Sequence, residues 1–200
     1  GASFTAVNNA SEAIPTCSGT EHYLIITKDK EFDIYKTTST GINYETNHSF
    51  NNDFASGFVN LAISHDGNFI YTLTDANELG IFAFDHSAAV VSLISVNQSE
   101  YNHSQFGYPI CADPSDRNIY LQHQEGRKQK VVKYELASGE YSEVADFFQS
   151  AEFNLSPDDG FIGQLQLGPD NRIYGTHQDR SEMMVINFPE AEEGNGVNLF

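Results

Sequence analysis

A tyrosine returns in the same setting at Tyr23, Tyr71, Tyr120 and Tyr174, in steps of 48, 49 and 54 residues. The segments around it share one pattern. EHYLIITKDKEFDIYKT spans 21–37, and LAISHDGNFIYTLT (61–74) leads into LGIFAFD (79–85). ICADPSDRNIYLQH (110–123) leads into VVKYEL (131–136), and FIGQLQLGPDNRIYGTHQDRSEMMVINF fills 161–188. Each reads as a short apolar strand, a tight polar turn, a second strand through the tyrosine and a third strand. Periods of roughly 40–50 residues built from short strands are the signature of propeller blades. A helical repeat of this length would need 3.6-residue amphipathic periodicity, which these segments lack. The expected fold is therefore all-β: a β-propeller segment of four blades, one domain over residues 1–200. Its repeats fall at 1–46, 58–97, 106–148 and 161–200.

Within the repeats, apolar residues at i and i+2 mark the inner strands. Leu61, Ile63, Ile110, Ala112, Leu165 and Leu167 are expected to be buried there. In the first repeat Phe4 to Val7 is the inner-strand candidate, with Asn8 to Thr20 as a polar loop. Strands follow at Tyr23–Thr27, Phe32–Thr37 and Ile42–Thr46. Asn47 to Gly57 is rich in Asn and has no apolar period, so it reads as a connection between blades. Asp66-Gly67, Asp113-Pro-Ser-Asp116 and Gly168-Pro-Asp-Asn171 supply residues that tolerate positive φ, the chemistry of tight turns. Val90 to Ile94 and Val197 to Phe200 are outer-strand candidates, and Gly126 to Lys130 is a basic hairpin loop.

Charge narrows the function classes. Ten Lys and Arg stand against 28 Asp and Glu, a formal charge of −18. Such a surface repels nucleic-acid phosphates and anionic lipid. No run reaches the ~18 apolar residues of a membrane span. Cys17 and Cys111 occupy non-equivalent places in the first and third repeats, so a bridge between them is not expected. Cys111 aligns with Ala62 and Gln166, which places it on an inner strand. The chain begins without Met and stops inside an apolar run, as an excised or processed piece would.

The succession FTAVNN, EHYLIIT, FDIYKTTSTGIN, ISHDGNFIYTLT, LGIFAFD, FGYPICADPSDRNIYLQ, VVKYEL, GQLQLGPDNRIYGTH and MMVINFPEAEEG covers nearly the whole chain. In that order it resembles the carboxy-terminal blades of large secreted or cell-surface propeller proteins of Bacteroidota. That group often carries PKD domains and a type IX secretion sorting tail. LQLGPDNRIY and VINFPEAEEG are the most specific part. The chain departs from the group at Ser11 to Ser18, a longer loop, and in the spelling of the turns at 64–67 and 113–116. The resemblance implies a bacterial extracellular or surface address and further blades of a parent chain. It brings no catalytic residues.

His123-Gln124 and His177-Gln178 are the candidate ligand-binding residues. Each His follows its marker tyrosine by three residues, at the end of a second strand, where propellers commonly bind ligands. Two imidazoles with a carboxylate such as Asp179 or Glu125 are metal-ligand chemistry. Ile26 and Thr74 hold the matching places in the first two repeats, so no ring of ligands is read and no metal or cofactor is expected. The acidic turns, Asp158-Asp159-Gly160 included, lack the D-x-[DN]-x-[DN]-G spacing of a calcium loop. No Gly-x-Ser-x-Gly elbow is present. His22, His48, His65, His86 and His103 have no matched nucleophile in sequence. The expected function is a non-catalytic scaffold that binds protein or glycan through its loops. A propeller hydrolase or lactonase-like enzyme is the alternative. The four blades are expected to form an open arc, with apolar flanks that self-associate.

Overall fold

The computed structural model describes residues 10–15, 20–99, 110–125, 128–146, 162–177, 183–187 and 197–199. Sixteen strands account for most of them. In chain order they are β1 (Ser11–Pro15), β2 (His22–Lys28), β3 (Glu31–Thr38), β4 (Gly41–Ser49), β5 (Phe58–Ile63), β6 (Phe69–Thr74), β7 (Glu78–Asp85) and β8 (Val90–Gln98). Then come β9 (Ile110–Ala112), β10 (Asn118–Glu125), β11 (Lys128–Glu135), β12 (Tyr141–Asp146), β13 (Ile162–Leu167), β14 (Ile173–His177), β15 (Met183–Ile186) and β16 (Val197–Leu199). They form four antiparallel four-stranded sheets, each a meander of consecutive strands. No helix long and apolar enough to cross a membrane occurs among the described residues.

The tyrosine repeat is also a repeat of hydrogen-bonding register. Tyr23, Tyr71, Tyr120 and Tyr174 lie opposite Ile14, Ala62, Cys111 and Gln166 on the first strands. On the third strands they face Lys36, Ile81, Lys133 and Val185. Because side chains alternate faces with period two, this shared register gives all four sheets the same inside and outside.

The first strand of the chain corrects the sequence reading. β1 lies at Ser11–Pro15, inside the stretch expected to be a loop, and Ile14 is fully buried in it. Ser11, Glu12 and Ala13 are exposed, so the apolar alternation that announces a strand is missing. Backbone pairing with β2 defines it instead, Ser11 opposite Ile26 through Pro15 opposite His22. Just ahead of it Thr27 N donates to Ala10 O at 2.9 Å while Ala10 N donates to Thr27 Oγ1 at 2.9 Å. Phe4 to Val7 and Cys17 lie outside the described residues. β4 and β8 run further than their apolar residues indicated, and β11 begins at Lys128, within the expected basic loop.

The chain divides into two compact units, Gly1–Ser99 and Glu100–Phe200, each holding two sheets. In the first unit, Ile14, Tyr23, Ile25, Phe32 and Ile34 of the first sheet pack on Phe58, Leu61, Ile70, Phe82 and Phe84 of the second. Phe32 stacks on Phe58 at 5.0 Å and meets Phe82 edge-on at 4.9 Å. Phe50 and Phe54, from the connection between the sheets, close on the same ring of Phe82 at 4.9 and 5.8 Å. Gly80 makes room for Phe54 and Phe82: a Cβ there would stand 2.7 Å from Phe54 Cζ and 2.8 Å from Phe82 Cε2. Each buried Phe contributes about 1.5–3 kcal/mol of transfer free energy, so this cluster anchors the unit.

In the second unit, Cys111, Tyr120 and Val131 of the third sheet pack with Leu165, Ile173, Met184 and Ile186 of the fourth. Leu61, Ile110, Ala112 and Leu165 are buried as expected, whereas Ile63 and Leu167 are half-buried. Cys111 is buried, and its Sγ donates to Ala112 O at 3.3 Å.

Candidate functional site

The four candidate ligand residues fall in the second unit. His123 lies on β10 opposite Lys130, and Gln124 opposite Gln129, close to the β10–β11 hairpin end. His177 is the last residue of β14 and pairs with Ile162. Both histidines therefore sit three residues past a register-matched tyrosine, at the same end of equivalent strands. Gln178 and Asp179 lie outside the described residues.

The same end of the sheet is held together differently in the first unit. Thr74, the counterpart of the two histidines, is buried, and its Oγ1 donates to Glu78 Oε2 at 3.1 Å while accepting Glu78 N at 3.2 Å. The Glu78 carboxylate in turn accepts Ala55 N with both oxygens, at 3.2 and 3.0 Å. Lys30 Nζ donates to Phe54 O at 2.7 Å, and Phe58 N to Asp29 O at 2.7 Å. These bonds fasten the inter-sheet connection across the β2–β3 and β6–β7 hairpin ends. Ile26, the remaining counterpart, is half-buried opposite Asp33. One register position thus carries Ile, Thr and two His, and in the second sheet its work is structural. Sequence reasoning missed the clamp, although a Thr four residues before a Glu across a hairpin is its visible trace.

The opposite end carries the acidic turns, each between a first and a second strand. Gly67 N donates to Ser64 O at 3.0 Å, Asp116 N to Asp113 O at 3.1 Å, and Asn171 N to Gly168 O at 3.1 Å. Gly67, Asp116 and Asn171 take φ of +74°, +55° and +61°, which explains why Gly, Asp or Asn stands there.

The carboxylates beside them are used within their own turns. Asp66 accepts Ser64 Oγ at 2.7 Å, Asn68 N at 2.9 Å and Asn68 Nδ2 at 2.7 Å. Asp113, fully buried, accepts Arg117 N at 2.9 Å, Asn118 Nδ2 at 2.7 Å and Ser115 Oγ at 3.2 Å. Asp170 accepts Tyr174 Oη at 2.8 Å and stands 3.6 Å from Arg172 Nε. A carboxylate with this many local donors is a turn anchor before it is a cation ligand. Among the described residues, no group of three or more His, Cys, Asp and Glu converges on one point. Asp158-Asp159-Gly160 lies outside the described residues.

Two other histidines join sheets. His48 Nε2 lies 3.1 Å from Ala89 O and 3.4 Å from Val91 N, across from its own sheet. His86 presents its ring edge-on to Phe84 at 5.0 Å and its carbonyl to Tyr23. Neither is paired with a nucleophile in the hydrogen bonds described.

No protein-family model matches the chain, and no curated protein matches it. Solved structures do. A putative 6-phosphogluconolactonase from Bacteroides uniformis superposes with a TM-score of 0.61 at 12% identity, over 95% of this chain and 52% of that one. A chain of a nidogen/laminin complex gives 0.55 at 10% identity, over 96% and 62%. A β-propeller domain from Myceliophteria thermophila gives 0.50 at 12% identity, over 96% and 52%. The fold is that of a β-propeller, and the chain spans between half and two thirds of the length of these structures.

Proposed function

We propose that this chain is part of a non-catalytic interaction scaffold, secreted or held at a bacterial cell surface, that binds a protein or glycan through its inter-strand loops. His123, Gln124, His177 and Gln178 are the proposed contacts, with no cofactor or metal and with further blades supplied by a longer polypeptide. The observation that carries the reading is the local use of the acidic side chains. Asp66, Asp113 and Asp170 close on their own turns and leave a stiff frame between the loops. The resemblance to the Bacteroidota propeller group supports the address, and the length of the similar solved structures supports the further blades. The acidic surface disfavours nucleic acid as the ligand.

A second reading, a lactonase-like enzyme with a metal where blades converge, is favoured by the lactonase name of one similar structure. Two measurements on the purified chain separate the readings. Lactone hydrolysis above the spontaneous rate, with about one metal ion per chain by elemental analysis, would select the enzyme. Saturable binding on a glycan or protein array, weakened by His123→Ala and His177→Ala, would select the scaffold. A chain that does neither overturns both.

A further inference from the structure

Anchored on the tyrosine register, the first and second sheets can be superposed position by position. Ala13 opposite Leu24 corresponds to Leu61 opposite Thr72, and Leu24 opposite Tyr35 corresponds to Thr72 opposite Gly80. Thr37 opposite Ile42 corresponds to Phe82 opposite Leu93. In the second sheet this face receives the first sheet: Leu61, Ile70 and Phe82 are buried there against Tyr23, Ile25, Phe32 and Ile34. In the first sheet the corresponding face is open. It carries half-buried Leu24, Ile26 and Tyr35, with Ile42 64% and Tyr44 57% exposed. Tyr35 and Tyr44 meet edge-on at 5.5 Å in the middle of it.

A sheet with one wet face alternates apolar and polar residues, whereas a sheet covered on both sides is apolar at successive positions. β2, His-Tyr-Leu-Ile-Ile-Thr-Lys, is of the second kind, with Tyr23 and Ile25 turned one way and Leu24 and Ile26 the other. β6, its counterpart, is buried from Ile70 through Thr74 on both faces. The sequence of β2 thus matches a strand that has a neighbour on each side.

We propose that the outer face of the first sheet, centred on Leu24, Tyr35, Ile42 and Tyr44, is a docking face for one more four-stranded β-sheet. That sheet presents a Tyr, Ile and Phe face of the kind Tyr23, Ile25, Phe32 and Ile34 present to the second sheet. The proposal rests on the reading that further blades accompany this chain, and is independent of what its loops bind. A second copy is the weaker occupant. The first sheet's own face of the required kind is already buried in its own unit, and copies of charge −18 repel one another.

The test uses the chain with a second copy of residues 10–57 fused ahead of residue 10, marked by Ser39→Ala so that its peptides differ in mass. Hydroxyl-radical labelling reads Ile42 and Tyr44 of the original copy, and amide exchange reads the folding of the added one. Labelling is expected to fall about fivefold or more against the 200-residue chain, as exposure drops to that of well-contacted core residues. Ile42→Lys with Tyr44→Lys in the original copy should restore labelling at Tyr35. Unchanged labelling beside a protected added copy overturns the proposal. So does an added copy whose amides stay unprotected, since a single sheet folds only against something. Labelling of the 200-residue chain that falls with its concentration assigns the face to a second copy instead. Labelling already low in dilute chain assigns it to another segment of the same chain. Failure here with loop binding intact removes the docking face and leaves the scaffold reading standing.

Discussion

Tyr23 donates its phenolic hydrogen to the carbonyl oxygen of His86 at 3.0 Å, linking the first two sheets beside the Tyr23–Phe84 ring contact at 5.3 Å. The tyrosine that marks the repeat in sequence is thus also a tie between sheets.

Tyr23→Phe keeps the ring and deletes the bond. It should destabilise the first unit by about 0.5–1.5 kcal/mol, the usual net value of one hydrogen bond. Denaturant unfolding should show a lower midpoint with an unchanged slope. A midpoint equal to that of the parent would mean that water replaces the hydroxyl without loss.

Glu78→Ala removes the acceptor for Ala55 N and for Thr74 Oγ1. Leaving these donors without a partner costs about 1–3 kcal/mol. The local signature is more telling than the total. Amide exchange at Ala55 should accelerate far more than at Phe82 or Ile70. Equal acceleration at all three would describe global loosening and no clamp.

Asp66 lends acid-side sensitivity. Partial burial is the largest single influence and raises its affinity for a proton, but the bonds from Asn68 and Ser64 and the charge of His86 together hold its carboxyl below the ordinary 3.8. A depressed folded value stabilises the fold above the unfolded one and loses that contribution as pH falls through the folded one. The stability gap between the parent and Asp66→Asn should therefore narrow as pH falls through the ordinary carboxylate range and below it. Asp85 and Asp170 are shifted in the same direction, chiefly by Ser87 and Tyr174 respectively, and lie at the surface, so they add little. A gap that stays constant with pH would refute the role given to Asp66.

Gly67→Ala meets two obstacles. The backbone stands at φ +74°, and the new Cβ would lie 2.8 Å from Ile14 Cγ2 and 3.3 Å from His86 Cε1. The loss should exceed the ~1 kcal/mol expected of the backbone conformation alone. Removing the obstruction in Gly67→Ala with Ile14→Ala should cost less than the sum of the two single changes. Additive losses would show that Ile14 is not what the methyl strikes.

The repeat was legible because one residue type kept both its spacing and its register. Cys111, Ala62 and Gln166 align in sequence and all face the marker tyrosines. β1 was not legible, since its first three residues, Ser11, Glu12 and Ala13, are all exposed and show no alternation to read. Phe50 and Phe54 were hidden for another reason: they sit among Asn residues outside any strand, so no period points to the aromatic cluster they complete. The equivalence of His123 and His177 was readable from spacing and holds in the backbone. The structural duty of Thr74 at the same register was not, because it depends on Glu78 and Ala55 meeting across a connection.

Residues 50–57 look like a spacer, yet Lys30 grips them from the first sheet and Glu78 and Ala76 grip from the second, Ala76 N donating to Ser56 Oγ at 2.8 Å. The segment belongs to both sheets at once. A protease that favours Asn-rich loops should find it resistant, and a graft of the first sheet that ended at Ser49 would strand the Lys30 ammonium without its acceptor. The exchangeable piece of this chain, in shuffling or in design, therefore runs past the last strand of a sheet and ends at Gly57.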